Sequence, residues 1–418
     1  MQRISSNMTN NDLNSTLRSQ EYQINRNQNQ MASQQRIQNL RDDPVAAAHA
    51  TRYQSWMARL ERYDSNALEV QANLRIQESH LSQTQDILQR VNELTIQGAN
   101  GTYSKSDLQT MGNEINEYLN ELVSIGNAKG PDGQSLFAGT KLDSAAFRTL
   151  KGHVEGGTGQ VITNVEYMGS IGENKADISE NTSIATNFAG NKVFWADQQK
   201  VYSSVDAQNY QVQSDTSFLM DGKKIDLKAG DNIHTIVSRI NAAPVAVRAS
   251  IDPVTNGLVL ETTQPHQLFL EDAAGTGGNV LRDLGVLSDR PGLQPPQNLH
   301  PDARAFGGSM FDAVIRLRDN LLAGNKEFIG GQGLAGVQAS LKNIQTAVAE
   351  LGSRDTRLED TSKRLQDEIP KVQEKTSNLL DLDLTQGITQ MKMLDYTHQA
   401  ALKAAAKILP TTLMDFLR

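Results

Sequence analysis

The 418-residue chain contains no cysteine, few aromatic residues and no long apolar run. The lack of cysteine excludes disulfide bridges and thiolate metal sites. Aromatic residues make up 5% and apolar residues 38% of the chain, a lean composition that suits long helices with much surface. No stretch of about 18 apolar residues occurs, so no membrane span is expected. The first thirty residues lack the apolar segment of a Sec signal, so any export is expected to use another machine.

The charge balance also excludes classes of partner. Forty basic and 48 acidic residues give a net charge of -8. Such a chain has no general electrostatic attraction to nucleic acid or anionic membranes. We therefore expect its partners to be proteins.

Residue patterns that carry chemistry are missing. The seven histidines include no pair at the spacing of a zinc protease helix, and no Gly-x-Ser-x-Gly elbow occurs. The glycine clusters at 156–159 and 275–278 lack the Lys-Ser/Thr of a phosphate loop and are interpreted as turns. His398 is interpreted as a helix-packing or surface residue. We expect no enzyme activity, no metal and no cofactor.

Two helices are predicted before residue 100. The first carries a thin apolar stripe with polar residues between its members, so it needs packing partners; the stripe is Leu13, Leu17, Ile24 and Met31. Asp43 can cap a second helix that begins near Pro44. From Trp56 to Val91 apolar positions alternate in steps of four and three residues, which predicts a coiled-coil helix over 45–97. Trp56, together with Met57 and Tyr63, is expected in its core.

The middle of the chain changes to strand patterns after a further helix. That helix is expected to be capped near Ser104 or Ser106 and to pack antiparallel to the preceding one, and a small β element should follow between residues 136 and 159. Two hairpins are predicted around Asp221-Gly222 and Asn256-Gly257. A helix capped by Asp231 should lie between them. Residues 170–215 carry no pattern that assigns a role.

Helical patterns return after residue 300. A first face runs from Phe306 to Leu321 and a second from Leu334 to Leu351, and Pro370 is expected to interrupt the helix that follows. The last helix carries Leu384, Ile388, Met391, Leu402, Ala405 and Leu409. Both terminal helices are too lean to bury their stripes alone. We therefore predict that they pack on each other and on neighbouring subunits of an assembly.

Four short motifs occur in the order that is typical of the flagellin family. They are Asp42-Asp43-Pro44-Val45-Ala46-Ala47, Leu136-Phe137-Ala138-Gly139, Leu351-Gly352-Ser353-Arg354-Asp355-Thr356-Arg357-Leu358 and Thr412-Leu413-Met414-Asp415-Phe416-Leu417. Residues 217–262 also resemble the family's "IN" module, with matches that include Gly230-Asp231, Ile240-Asn241 and Asp252. The chain thus resembles the flagellin family. Pro44 and Met31-Ala32-Ser33 stand where filament members usually have other motifs, which favours the branch at the junction of hook and filament.

This resemblance implies a mostly α fold with a β-rich central insertion, an elongated multidomain arrangement, and N- and C-terminal helices paired as a coiled coil. The implied segments are an inner terminal-helix domain of 1–43 and 371–418, a helical rod of 44–170 and 301–370, and an outward domain of 171–300. The expected subunit contacts are Leu13, Leu17, Ile24, Met31, Ile388, Met391, Leu402, Ala405, Leu409 and Phe416.

The resemblance also implies partners and a location. We expect a ring of copies, the first hook-associated protein on the hook side, flagellin on the filament side, and an export chaperone at the C-terminal region. The chain should be exported by the flagellar type III apparatus and lie in the flagellum outside the cell, or in the periplasm where flagella are internal. Filament flagellin is the alternative, and a secreted coiled-coil adhesin is a third.

Overall fold

The computed structural model describes residues 6–157, 159–273, 279–290 and 292–408. The described chain is mostly helical, with terminal helices on either side of a β-containing centre. The helices are α1 (Ser6–Ser33), α2 (Pro44–Ala99), α3 (Lys105–Gly126), α4 (Gly190–Val193), α5 (Ile233–Ala242), α6 (Val280–Asp283), α7 (Met310–Ala323), α8 (Lys326–Phe328), α9 (Leu334–Leu380) and α10 (Leu384–Ile408). A single π-helical turn, Ile329–Gly333, joins α8 to α9.

Eleven strands lie within the described residues. They are β1 (Phe147–Gly152), β2 (Val161–Tyr167), β3 (Lys175–Ser179), β4 (Thr182–Ala185), β5 (Lys200–Tyr202), β6 (Thr216–Met220), β7 (Lys223–Leu227), β8 (Val247–Ile251), β9 (Leu258–Thr262), β10 (Leu270–Asp272) and β11 (Arg304–Phe306). Every pairing is antiparallel, in two hairpins (β1-β2 and β3-β4) and two sheets of order β10-β6-β7 and β11-β5-β9-β8. None of the described helices has the length and apolarity that a membrane span needs.

The described chain divides into two compact units. The first, the terminal unit, consists of residues 6–65 and 362–408, and the second, the central unit, of residues 66–361. In the terminal unit, Leu60 of α2 packs with Leu365 and Val372 of α9 in a small apolar cluster. Each unit therefore has apolar contacts of its own.

Two predictions about the terminal unit are wrong. Helix α9 runs through Pro370 to Leu380 instead of breaking. A proline removes one main-chain hydrogen bond at a cost of about 3 kcal/mol, and the packing of the adjacent Leu365, Ile369 and Val372 on α2 opposes that loss. Trp56 is exposed and lies outside the core, although Met57 and Tyr63 do pack against the cluster.

The predicted coiled-coil seam of α2 is confirmed in the central unit. Its members are buried, namely Ala67, Val70, Leu74, Gln77, Leu81, Thr84, Leu88 and Val91. Helix α3 begins after the cap Ser104, whose hydroxyl accepts from the Asp107 amide. Gln83 of α2 donates to Glu121 of α3 at 3.0 Å and Arg90 lies 3.6 Å from Glu114. Along α2 the contacts advance from Gln83 to Arg90, while along α3 they go back from Glu121 to Glu114. The two helices are therefore antiparallel, as predicted.

An aromatic cluster fixes the first hairpin to the helices. Phe147 of β1 lies 4.9 Å from Phe311 of α7 and 5.4 Å from Phe194, ring centre to ring centre. Edge-to-face contacts of this kind stabilise beyond the area they bury. The Tyr167 hydroxyl of β2 lies 3.0 and 2.8 Å from the carbonyl oxygens of Phe137 and Ser170, which share its one hydrogen as acceptors. The predicted β element therefore exists, and its glycine-rich stretch is the loop between β1 and β2.

The two predicted central hairpins are also confirmed. They are β6-β7, which turns at Asp221-Gly222, and β8-β9, which turns near Asn256-Gly257. Asp221 and Asn256 adopt positive φ angles of 49° and 54°, as short polar side chains at turns tolerate. The two hairpins belong to different sheets, which share one apolar core with α5 and α6.

The cap of α5 and the position of Phe306 differ from expectation. Asn232 caps α5 by accepting from the Thr235 amide at 3.0 Å. Asp231 instead pairs with Arg239 at 2.9 Å. Phe306 lies in β11 and is exposed instead of starting a helical face. The three-residue β11 is too short to show a period of its own, and its pairing with β5 decides its conformation.

Candidate assembly interface

The first and last helices pack side by side in the terminal unit. The Arg36 amide donates to the Leu380 carbonyl at 2.7 Å, and the Leu382 amide donates to the Gln34 carbonyl at 2.9 Å. These bonds join the residues that follow α1 to those that precede α10. Because the end of α1 meets the start of α10, the two helices run antiparallel.

The predicted apolar stripes of α1 and α10 meet at this contact, but the contact buries most of their side chains only partly. On α1 the four residues Leu13, Leu17, Ile24 and Met31 are half-buried. On α10 Met391 is half-buried and Ala405 is buried. Gly387 permits a close approach, since an added Cβ would lie 3.0 Å from the Leu382 side chain and 3.5 Å from that of Met31.

Polar groups weaken the α1-α10 contact. On the described parts of α1 and α10, three buried side-chain atoms have no hydrogen-bond partner: Gln20 Oε1, Asn27 Oδ1 and His398 Nδ1. An unsatisfied buried polar group costs about 1–3 kcal/mol. Asn27 also lines a polar cavity of 390 Å³, together with residues that include Gln23, Gln30, Gln386 and Gln390. The pair is therefore a poor isolated core.

Large apolar side chains remain exposed on the same two helices. Of the predicted contacts, Ile388 is 45% and Leu402 is 47% exposed. Sequence reasoning missed Tyr22, Met393 and Tyr396, which are exposed by 61%, 68% and 77%. These three residues lie off the main apolar stripes of α1 and α10. The signal in the sequence that could have identified them is a large apolar residue on an otherwise polar face of a helix. Leu409 and Phe416 lie outside the described residues.

The turn between α1 and α2 is built around two carboxylates. Asp42 accepts from the amides of Gln38 and Asn39 at 3.2 and 3.0 Å and lies 3.3 Å from Arg26 of α1. The hydrogen bond from the Asn39 amide, with a smaller contribution from Arg26, lowers the pKa of Asp42. Asp43 caps α2 by accepting from the Ala46 amide at 3.0 Å, as predicted. This motif sets the direction in which the chain leaves α1.

Across the described ranges, no three histidine or carboxylate side chains cluster in a way that could hold a metal ion. The arrangement instead offers a half-closed helical pair with apolar side chains on its open face. Such a surface is chemically suited to packing against further helices.

Three family models match the chain. The bacterial flagellin N-terminal helical region matches residues 4–142, and the bacterial flagellin C-terminal helical region matches residues 334–417. The flagellin hook IN motif matches residues 210–264. The first two contain α1 and α10, and the third contains both central hairpins.

Individual proteins show the same likeness. The chain is 24% identical over 313 residues to flagellar hook-associated protein 3 of Escherichia coli strain K12, which covers 74% of this chain and 91% of that protein. A solved structure of flagellar hook-associated protein 3 from Legionella pneumophila has a TM-score of 0.46 at 18% identity and covers 78% of this chain and 98% of its own. The flagellin of Bacillus subtilis strain 168 is 30% identical over 286 residues, 62% of this chain and 92% of that protein. At that identity and coverage, the chain belongs to the flagellin family.

Proposed function

We propose that this chain is a structural subunit of the bacterial flagellum that forms the junction between hook and filament. The observation that carries the proposal is the half-closed α1-α10 pair. Its exposed apolar side chains Ile388 and Leu402 would be buried only by packing against helices of other subunits. Its likeness to a hook-associated protein 3 over 91% of that protein's length supports the junction role. We assign it no catalytic role.

Subunit contact is expected to complete the terminal unit. Ordering a chain costs about 1–2 kcal/mol per residue in backbone entropy, and the partnerless Gln20, Asn27 and His398 atoms add to the cost of closing the pair alone. We expect the terminal segments to be disordered in the monomer and helical in the assembly. Leu13, Leu17, Ile24, Met31, Met391 and Ala405 would then hold the pair together, and Ile388 and Leu402 would contact neighbouring copies.

The proposed partners follow from this position. A ring of copies would contact the first hook-associated protein on one side and flagellin on the other. An export chaperone would cover the C-terminal region until the chain passes through the flagellar type III apparatus. The inner, rod and outward segments outlined from the sequence are proposed as the layout of the assembled subunit.

Deletion of the gene tests the junction role directly. Electron microscopy of the deletion strain should show hooks without filaments, and the culture medium should contain monomeric flagellin. Re-expression of the full chain should restore filaments. Hooks that carry normal filaments in the deletion strain would refute the junction role.

Filament flagellin is the second candidate, because the chain covers 92% of the Bacillus subtilis flagellin at 30% identity. The residues around Pro44 argue against it. Purified chain at high concentration separates the two candidates by electron microscopy: a junction subunit should form limited oligomers, whereas a filament subunit should polymerise into long filaments.

A further inference from the structure

One face of the sheet β11-β5-β9-β8 is open to solvent. Its opposite face contributes Val201, Ala249 and Leu260 to the apolar core of the central hairpins. Because side chains alternate along a strand, the neighbouring positions point away from that core. The register places Arg304 beside Tyr202, and Phe306 beside Lys200. It continues with Lys200 beside Glu261 and Glu261 beside Arg248. We call these six residues the outer sheet face.

The outer sheet face is cationic although the whole chain is acidic. Lys200, Arg248 and Arg304 oppose one carboxylate within the face, Glu261, which pairs with Lys200 at 2.8 Å. Asp252 lies at its margin, where the hydrogen bond from the Thr255 hydroxyl, with a smaller contribution from the charge of Arg304, lowers the pKa of the Asp252 carboxyl. Arg248 and Arg304 are both exposed. The chain carries a net charge of -8, so this local excess of positive charge complements an anionic ligand.

Two aromatic rings lie on the face, one on the edge strand β11 and one on its neighbour β5. Tyr202 and Phe306 meet edge to face, with ring centres 5.7 Å apart and planes at 87°. Phe306 remains 55% exposed, so its ring has apolar surface left to cover. An aromatic ring packs against a ligand that has both an apolar side and polar groups. The C–H face of a sugar ring has that character, and an arginine fork pairs with its carboxylate.

The size of the face favours a linear ligand over a protein. Four strands spaced about 4.8 Å apart span about 14 Å, and three residues along a strand span about 10 Å. The resulting area of roughly 150 Å² is far below the roughly 800 Å² per partner of a stable protein interface. A few residues of an extended chain would cover it.

We propose that the outer sheet face binds acidic polysaccharide, with Tyr202 and Phe306 packing on sugar rings and Arg248 and Arg304 pairing with uronate carboxylates. Lys200 remains paired with Glu261 and contributes positive charge at the edge of the ligand. This inference goes beyond the junction role. It assigns a ligand to the sheet of the central unit, and this binding is separate from the assembly role proposed for the terminal helices.

Binding of oligogalacturonate to the full chain tests the proposal. The matched control ligand is the methyl-esterified form, which keeps the sugar backbone and removes the carboxylate charge. The variants are the double substitution Arg248→Gln/Arg304→Gln and the single substitution Phe306→Ala. The control variants are Lys228→Gln, an exposed cation outside the face, and Val254→Ala, an exposed apolar residue outside it.

We expect the wild-type chain to bind oligogalacturonate and not its ester, with affinity that falls as salt is added. The double variant should bind at least about tenfold more weakly. Phe306→Ala should also weaken binding, whereas both control variants should bind as the wild type does. Circular dichroism and thermal unfolding should show that every variant compared is folded.

Several results would overturn the proposal. The proposal is wrong if the wild-type chain does not bind oligogalacturonate, if it binds the ester equally tightly, or if the control variants lose as much affinity as the variants of the face. Single-stranded DNA that binds as tightly as oligogalacturonate would also overturn it, because this would indicate only a general attraction to anions. Loss of incorporation into flagella in the Phe306→Ala strain would show that the face contacts another subunit instead. Failure of the junction role would appear separately, as normal filaments in the deletion strain.

Discussion

Leu402 on α10 separates packing within the chain from packing between subunits. The residue is 47% exposed, and since complete burial of a leucine side chain is worth about 1.5–3 kcal/mol, about 1 kcal/mol remains to be gained on assembly. Leu402→Ala should therefore weaken each subunit contact about fivefold. Leu402→Asp should abolish incorporation, because a carboxylate buried in the contact adds several kcal/mol of desolvation cost.

The assay is complementation of the deletion strain with Leu402→Asp, scored by swimming in soft agar and by electron microscopy. The medium must be assayed for the variant chain, since export without incorporation distinguishes an assembly defect from a failure of synthesis or chaperone binding. Gln399→Asp is the matched control, because Gln399 is an exposed polar residue on the same helix. Normal incorporation of Leu402→Asp would refute the reasoning.

Three further predictions concern stability. Arg318 is fully buried and donates to Asn116 at 3.1 Å, so Arg318→Ala should lower the free energy of unfolding by about 3 kcal/mol in denaturant titration, and Arg318→Met by less because it keeps more volume. Asp43→Ala should cost about 1 kcal/mol by removing the cap of α2, and Asp43→Asn should restore most of it in thermal unfolding. Burial raises the pKa of Tyr167, whereas tyrosine in the unfolded chain ionises near pH 10. The folded state therefore keeps its full stability relative to the unfolded chain below about pH 10 and loses stability as the pH rises further. Tyr167→Phe should show a weaker loss of stability with rising alkaline pH.

The periodic parts of the fold were readable because a helix must bury one face. The seam from Leu60 to Val91 is a four-three repeat that only a long helix can bury, and the structure has that helix. The hairpins at Asp221-Gly222 and Asn256-Gly257 were equally readable, because few dipeptides tolerate the positive φ angles of such turns. Asp43 and Pro44 marked a helix start for a similarly local reason.

The errors arose where distant contacts outweighed local preference. Pro370 should end an isolated helix, yet apolar neighbours packed on α2 keep α9 continuous. The apolar spacing predicts Phe306 on a helical face, but pairing with β5 makes it part of an exposed strand. Trp56 continues the heptad pattern of α2 and is exposed all the same, because burial depends on which neighbour reaches that position.

The sequence by itself determined the helical ends, the β-rich centre and the family, since repeat spacing, turn residues and ordered motifs are properties of the chain alone. Only the tertiary structure decided which residues of α1 and α10 face each other and which remain open. The same holds for the outer sheet face, where Tyr202, Arg248 and Phe306 come together from three strands far apart in sequence. Register and packing bring such residues together, and neither can be computed from local preference.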